Sequence, residues 1–158
     1  MGVLGSYMST EEELFDQIVS GEDESIAPEN YQHLDIDKSW QLIHFLLCKN
    51  LENGEPPMGY VVPMRDENEL DLGQTDARIF YITAQQAREA ADYLNTLSDN
   101  DLKDMYDFEA MEKNGVYPIS KGEKDTGWYE YIYSHLTEIR KFYAQAAEKG
   151  HAISFTVC

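Results

Sequence analysis

Apolar residues recur along this chain at two spacings, and the switches between them mark its elements. Residues 3–8 form a short apolar run with glycines beside it, which predicts an amino-terminal strand. Thr10 and Glu13 stand in capping-box spacing ahead of Leu14, Phe15, Ile18 and Val19, the inward face of a helix that Gly21 stops. Residues 22–30, acidic and carrying Pro28, predict a solvated loop. The densest apolar stretch follows. Trp40, Ile43, His44 and Leu47 share one helical face, and Leu42, Phe45 and Leu46 widen it, so this helix is buried on most sides. Asp35 or Asp37, just ahead of it, offers a carboxylate to its free N–H groups and to the positive end of its dipole.

Residues 49–77 break the pattern with Asn53-Gly54, Pro56-Pro57, Pro63 and an acidic run over 66–71. Tyr60 to Val62 predicts a short edge strand that Pro63 limits. A connection this long in a compact domain is often functional, which makes it a candidate wall for a site. Residues 78–82, β-branched and aromatic, predict a strand that Thr83 and Gln86 convert into a helix through a capping box. Ala87, Ala90, Ala91, Leu94 and Leu97 form that helix's slim inner face. Ser98 and Asp101 restart a helix through Leu102, Met105 and Tyr106, with Met111 on a following turn and Asn114-Gly115 at the end. Val116, Tyr117 and Pro118 predict an extended exit. The longest periodic segment carries Trp128, Ile132, Leu136, Ile139, Phe142, Tyr143 and Ala146 up to Gly150, and residues 151–157 then alternate as a half-buried strand. Together these elements predict one α+β domain over residues 1–158, with a small mixed sheet from the terminal strands and the Arg78 strand, packed with about five helices.

Composition narrows the partners. Twelve basic residues against 30 acidic ones give a formal charge of −18, which repels nucleic acid and anionic membranes; such a surface serves plain solubility or steers a basic protein partner, and charge alone does not decide between them. Cys48 and Cys158 belong to no metal-spaced cluster, so a reducing cytoplasm is the simplest compartment. No apolar run approaches the roughly 20 residues of a membrane span. Gly2 and Ser6 formally fit a myristoylation pattern, but Glu11, Glu12 and Glu13 would repel the membrane, and a strand is the better reading.

Candidate chemistry is sparse, and neither a cofactor nor a metal is predicted. His33, His44, His135 and His151 lack metal-pair spacing, and the calcium-like start at Asp66, Asn68 and Asp71 lacks the glycine and glutamate of a complete loop. His44 and Cys48 share a helical face, which formally permits a thiol–imidazole pair, although core packing explains both. Arg78 beside a core needs a carboxylate, with Asp35 or Asp37 the expected partner, or else a ligand. Tyr117 and Trp128 read as packing residues whose polar tips can line a pocket.

The stretch LDIDKSWQLIHFLL, the opening MGVLGSY, the segment DLGQTDARIFYITAQQAREAADYL, the VYP tripeptide and the closing FYAQAAEKGHAISFTV together resemble the YfbM-like family of bacterial domains of unknown function. Its recurring polar and aromatic positions fall on Asp35, Asp37, Lys38, Trp40, His44, Gly73, Arg78, Tyr117 and Pro118. Thr75-Asp76 stands where the family often has Gly-Pro. The resemblance implies a small α/β protein and no reaction. Two functions remain: a non-enzymatic interaction protein, immunity- or inhibitor-like, with an acidic surface; or a small-molecule binder or enzyme with a cleft of Asp35, Asp37, His44, Arg78 and Tyr117. Candidate binding residues in either case are Asp35, Asp37, Lys38, Trp40, His44, Arg78 and Tyr117.

Overall fold

A computed structural model describes residues 2–19, 31–71, 73 and 76–158. The first strand, β1 (Gly5–Thr10), leads into α1 (Glu12–Val19). Next come β2 (Tyr31–Asp35), α2 (Trp40–Cys48) and two short 3-10 turns, Met58–Tyr60 and Asp66–Asn68. The two-residue strand β3 (Glu69–Leu70) and β4 (Arg78–Ile82) precede α3 (Ala84–Asn95), α4 (Asp99–Met105) and α5 (Phe108–Lys113). The long α6 (Trp128–Lys149) and β5 (Ala152–Val157) close the chain. This is the predicted α+β class.

The sheet runs in the order β2-β1-β5-β4-β3, and every neighbouring pair is antiparallel rather than mixed. Strands β2 and β3, which the pattern missed, form its two edges. Both are short, and β2 buries no residue fully, so neither carries a strong alternation. Register sets Tyr7 opposite Phe155 and Phe155 opposite Phe80, and their rings form a row with centroids 4.9 and 6.5 Å apart. Phe142 and Tyr143 of α6 pack against Tyr7 on this face. On the other face Phe15 of α1 stacks on Tyr81 at 4.4 Å. Strand β5, central and covered on both sides, is therefore buried along most of its length instead of half-buried.

Side-chain capping explains the starts of α3, α4 and α5. Thr83 and Gln86 form the expected capping box of α3, and Ser98 and Asp101 that of α4. Asp107 then accepts from the Ala110 N–H at 3.1 Å and starts α5 as a separate helix. Gly150, at φ 68°, ends α6 in the left-handed conformation that a side chain would resist. Thr10, the expected cap, is the last residue of β1, and α1 begins two residues later at Glu12; Gly21 and residues 22–30 lie outside the described residues.

Two expected extended segments are turns. Tyr60, Val61 and Val62 are buried without a strand partner. Instead the Tyr7 hydroxyl donates to the Val61 carbonyl at 2.7 Å, and the Tyr143 hydroxyl lies 2.8 Å from the Tyr60 carbonyl and 2.6 Å from that of Val61. Two core tyrosines thus satisfy carbonyls that a ladder would otherwise serve. Val116 to Ile119 closes a turn through an Ile119 N–H to Val116 carbonyl bond of 3.0 Å, with Tyr117–Pro118 in cis. Replacing Tyr7 with Phe leaves the packing intact and removes one of the two hydroxyls at the Val61 carbonyl, so urea denaturation should show a loss of about 0.5–1.5 kcal/mol.

Candidate functional site

The approach to α2 is held from outside the helix. Seven of its nine residues are buried and its first turn carries no acidic residue, so it has no charged face with which to orient its own start. Neither Asp35 nor Asp37 caps it: the N-cap is Ser39, which makes no side-chain cap bond. The aspartates shape the preceding turn instead. Asp35 Oδ1 accepts from the Asp37 N–H at 3.3 Å, and Asp37 adopts a left-handed φ of 52°. Strand β1 grips both sides of this turn, because Gly5 accepts from Ile36 and donates to the Asp37 carbonyl, each at 2.9 Å. The Ser39 hydroxyl donates to the Ile36 carbonyl at 2.7 Å.

Tyr131, from the first turns of α6, completes the clamp. Its hydroxyl accepts from the Lys38 N–H at 3.0 Å and donates to Asp37 Oδ2 at 2.6 Å. That donated bond, more than the nearby Lys38 and His135, holds the Asp37 carboxyl below its ordinary range. The Tyr131 phenol is pushed up, first by burial and then by the same carboxylate. His135 meets Tyr131 edge-on at 4.8 Å, and burial lowers its pKa.

Between this turn and the start of α6 lies a cleft of about 370 Å³, lined by Asp37, Lys38, Pro118, Thr126, Gly127, Trp128 and Tyr131. The Trp128 indole N–H is fixed by Glu123 at 2.6 Å. Tyr117 and Trp40 form the support behind Pro118 and Lys38, with ring centroids 5.6 Å apart. Val3 ties them together: its N–H donates to the Tyr117 hydroxyl and its carbonyl accepts from the Trp40 indole, both at 2.8 Å. From the cleft an aromatic and acidic face continues along α6. The Tyr106 hydroxyl donates to Asp125 at 2.9 Å and that of Tyr133 to Asp99 at 3.0 Å, with Tyr129 between the two rings.

Other predicted residues sit elsewhere. Arg78 pairs with neither Asp35 nor Asp37. It makes a two-pronged contact with Glu69 at 3.0 Å, reaches Glu52 at 2.5 Å and lies 5.0 Å over the Phe80 ring. These bonds, Glu69 first, hold its guanidinium charged and lower the Glu69 carboxyl. His44 is buried, with Nδ1 3.1 Å from the Val62 carbonyl and Nε2 3.0 Å from Asn50 Oδ1. Both nitrogens are occupied, and burial pushes the Cys48 thiol up to about 12, so no activated thiol forms. Asn68 is likewise spent, on Arg65, Tyr81 and Gln86, and the described residues hold no metal-competent group of three or more His, Cys, Asp or Glu.

Of Asp35, Asp37, His44, Arg78 and Tyr117, only the two aspartates are joined by a hydrogen bond among the described residues, and Asp37 alone lines the cleft. The five-residue cleft expected from the sequence is not formed. Asp37 and Lys38 line the cleft described above, and the rings of Trp40 and Tyr117 pack together beside it. Tyr131, Thr126 and Gly127 were missed. The only signal for Tyr131 is its place in the aromatic run WYEYIY, where its neighbour Ile132 faces the core.

Residues 1–156 match the family described as Domain of unknown function (DUF1877). No curated protein matches the chain. Among solved structures it is similar to a protein of unknown function, YfbM, from Escherichia coli, at 18% identity and a TM-score of 0.75, over 98% of this chain and 99% of that one. That likeness carries the fold.

The lowered pKa of His44 has a consequence for stability. The folded state holds the ring neutral while the unfolded chain takes up a proton near pH 6.5, so stability is full above 6.5 and declines as pH falls toward the lowered folded value. His135 and His151 act in the same direction. Chemical denaturation at a series of pH values should show this decline, with a shallower slope in His44→Gln.

Proposed function

Because the chain belongs to the DUF1877 family, whose description names no reaction, we propose its function from its own surface: a non-enzymatic interaction protein, immunity- or inhibitor-like, that meets a basic protein partner. The observation that carries this reading is the row of aromatic side chains at the start of α6, each turned by a carboxylate. Trp128 is held by Glu123, Tyr131 by Asp37, Tyr106 by Asp125 and Tyr133 by Asp99. All four rings are half-buried, and three of these carboxylates are exposed. Aromatic anchors with little rotamer entropy to lose, set among acidic groups, suit a partner presenting lysine and arginine. The charge of −18 would speed its approach.

The occupied groups support the non-enzymatic side of the proposal. His44, Arg78 and Cys48 each have a structural engagement or a suppressed ionisation, and no nucleophile–base pair is found among the described residues. A bacterial cytoplasmic setting fits two free cysteines and the finding that no described helix is long and apolar enough to cross a membrane.

Affinity capture from the native cell at low salt should recover a basic protein, released as ionic strength rises and the screening length falls to about 10 Å near 0.1 M. Tyr133→Ala should weaken the purified complex by about 2 kcal/mol, roughly thirtyfold. Recovery of no partner, or capture indifferent to both salt and Tyr133→Ala, contradicts the proposal.

A further inference from the structure

We propose that the cleft between the Asp37–Lys38 turn and the start of α6 binds a free α-amino acid, with the ligand ammonium on Asp37, its carboxylate on Lys38 and its side chain against Trp128 and Tyr131. The cleft shares Asp37, Trp128 and Tyr131 with the face proposed to meet a partner, but amino-acid binding is measured on the purified chain without that partner.

The cleft presents one anion and one cation on adjacent residues. Among the described residues neither takes part in an ion pair within 4.0 Å, with the other or with any third group. Asp37 Oδ2 is oriented by the Tyr131 hydroxyl. The turn bearing both charges is fixed before any ligand arrives, by Gly5 at the Asp37 carbonyl, Asp35 at its N–H and Tyr131 at the Lys38 N–H. Such prior fixing lowers the entropy cost of binding.

Opposite charges side by side select for a zwitterion. A simple cation on Asp37 would face Lys38, and a simple anion on Lys38 would face both Asp37 and a protein of net charge −18. A zwitterion meets both groups and carries no net charge for that field to repel. An α-amino acid holds its two charges on one carbon, matching two side chains from neighbouring residues, whereas the termini of a peptide lie further apart.

The remaining walls suit an apolar side chain. Trp128 and Tyr131 meet almost at right angles, 81° with centroids 5.7 Å apart, and form a corner that Pro118 faces. The volume of about 370 Å³ falls within the range of about 300–1,000 Å³ common for small-ligand sites.

Isothermal titration with phenylalanine, phenethylamine and 3-phenylpropionate separates the possibilities, with leucine and alanine as further probes. Phenylalanine should bind saturably at millimolar or lower concentration, and each probe lacking one charge should bind about tenfold or more weakly. Asp37→Asn, whose side chain tolerates the left-handed turn, should abolish the preference for phenylalanine over 3-phenylpropionate. Lys38→Gln should abolish its preference over phenethylamine. Thermal melts of both variants close to that of the parent chain show that the turn is intact. Absence of saturable binding by all three amino acids overturns the proposal, as does phenethylamine or 3-phenylpropionate binding as tightly as phenylalanine. Loss of partner capture with amino-acid binding retained would remove only the interaction reading.

Discussion

The Tyr131 hydroxyl is the point on which the entrance to this fold turns. Helix α2 buries Trp40 and six further residues and has no side-chain cap, so no cap bond to its first N–H groups fixes the direction from which the chain enters it. A left-handed residue stands there, and Asp37 tolerates that conformation better than most side chains. Bonds from distant elements hold it: Gly5 of β1 from one side and Tyr131 of α6 from the other. One phenol thus joins the last helix to the turn that admits the most buried one. The same bond that secures the backbone of Lys38 orders the carboxylate of Asp37.

Function and stability share these groups but divide them by location. Inside, Tyr7 and Tyr143 close the carbonyls of a buried turn, and His44 joins α2 to Val62 and Asn50. At the sheet edge Arg78 locks the β3–β4 hairpin to the preceding loop through Glu69 and Glu52. These residues resemble a catalytic set when read from type alone. Each has a partner that accounts for it, whereas Asp37 and Lys38 enter no ion pair within 4.0 Å among the described residues.

What was legible in the sequence is what local chemistry decides. The capping boxes at Thr83 and Ser98, the long apolar period of α6 and the all-round burial of α2 come from side chains a few residues apart, and the structure repeats them. What was illegible depends on register and on distant partners. Arg78 finds Glu69 because β3 pairs with β4 so that Glu69 sits opposite Phe80, within diagonal reach. No spacing along the chain announces a two-residue strand. Tyr131 was hidden for a related reason, since a tyrosine flanking an apolar helical face looks like packing until the turn that it touches is in place. The family resemblance marked Asp37 and Lys38, which line the cleft; their place in a turn instead of a cap needed β1 and α6 to be seen together.

Amide hydrogen exchange in Tyr131→Phe, compared with the parent chain, tests this dependence directly. The substitution keeps the ring and removes only the hydroxyl that accepts from Lys38 and donates to Asp37. Protection of the Lys38 amide should fall selectively, while the amides of α6 and the central strands keep theirs. Unchanged protection at Lys38 would contradict a turn pinned by Tyr131, and a uniform loss across the sheet would show that the hydroxyl serves the whole fold instead of its entrance.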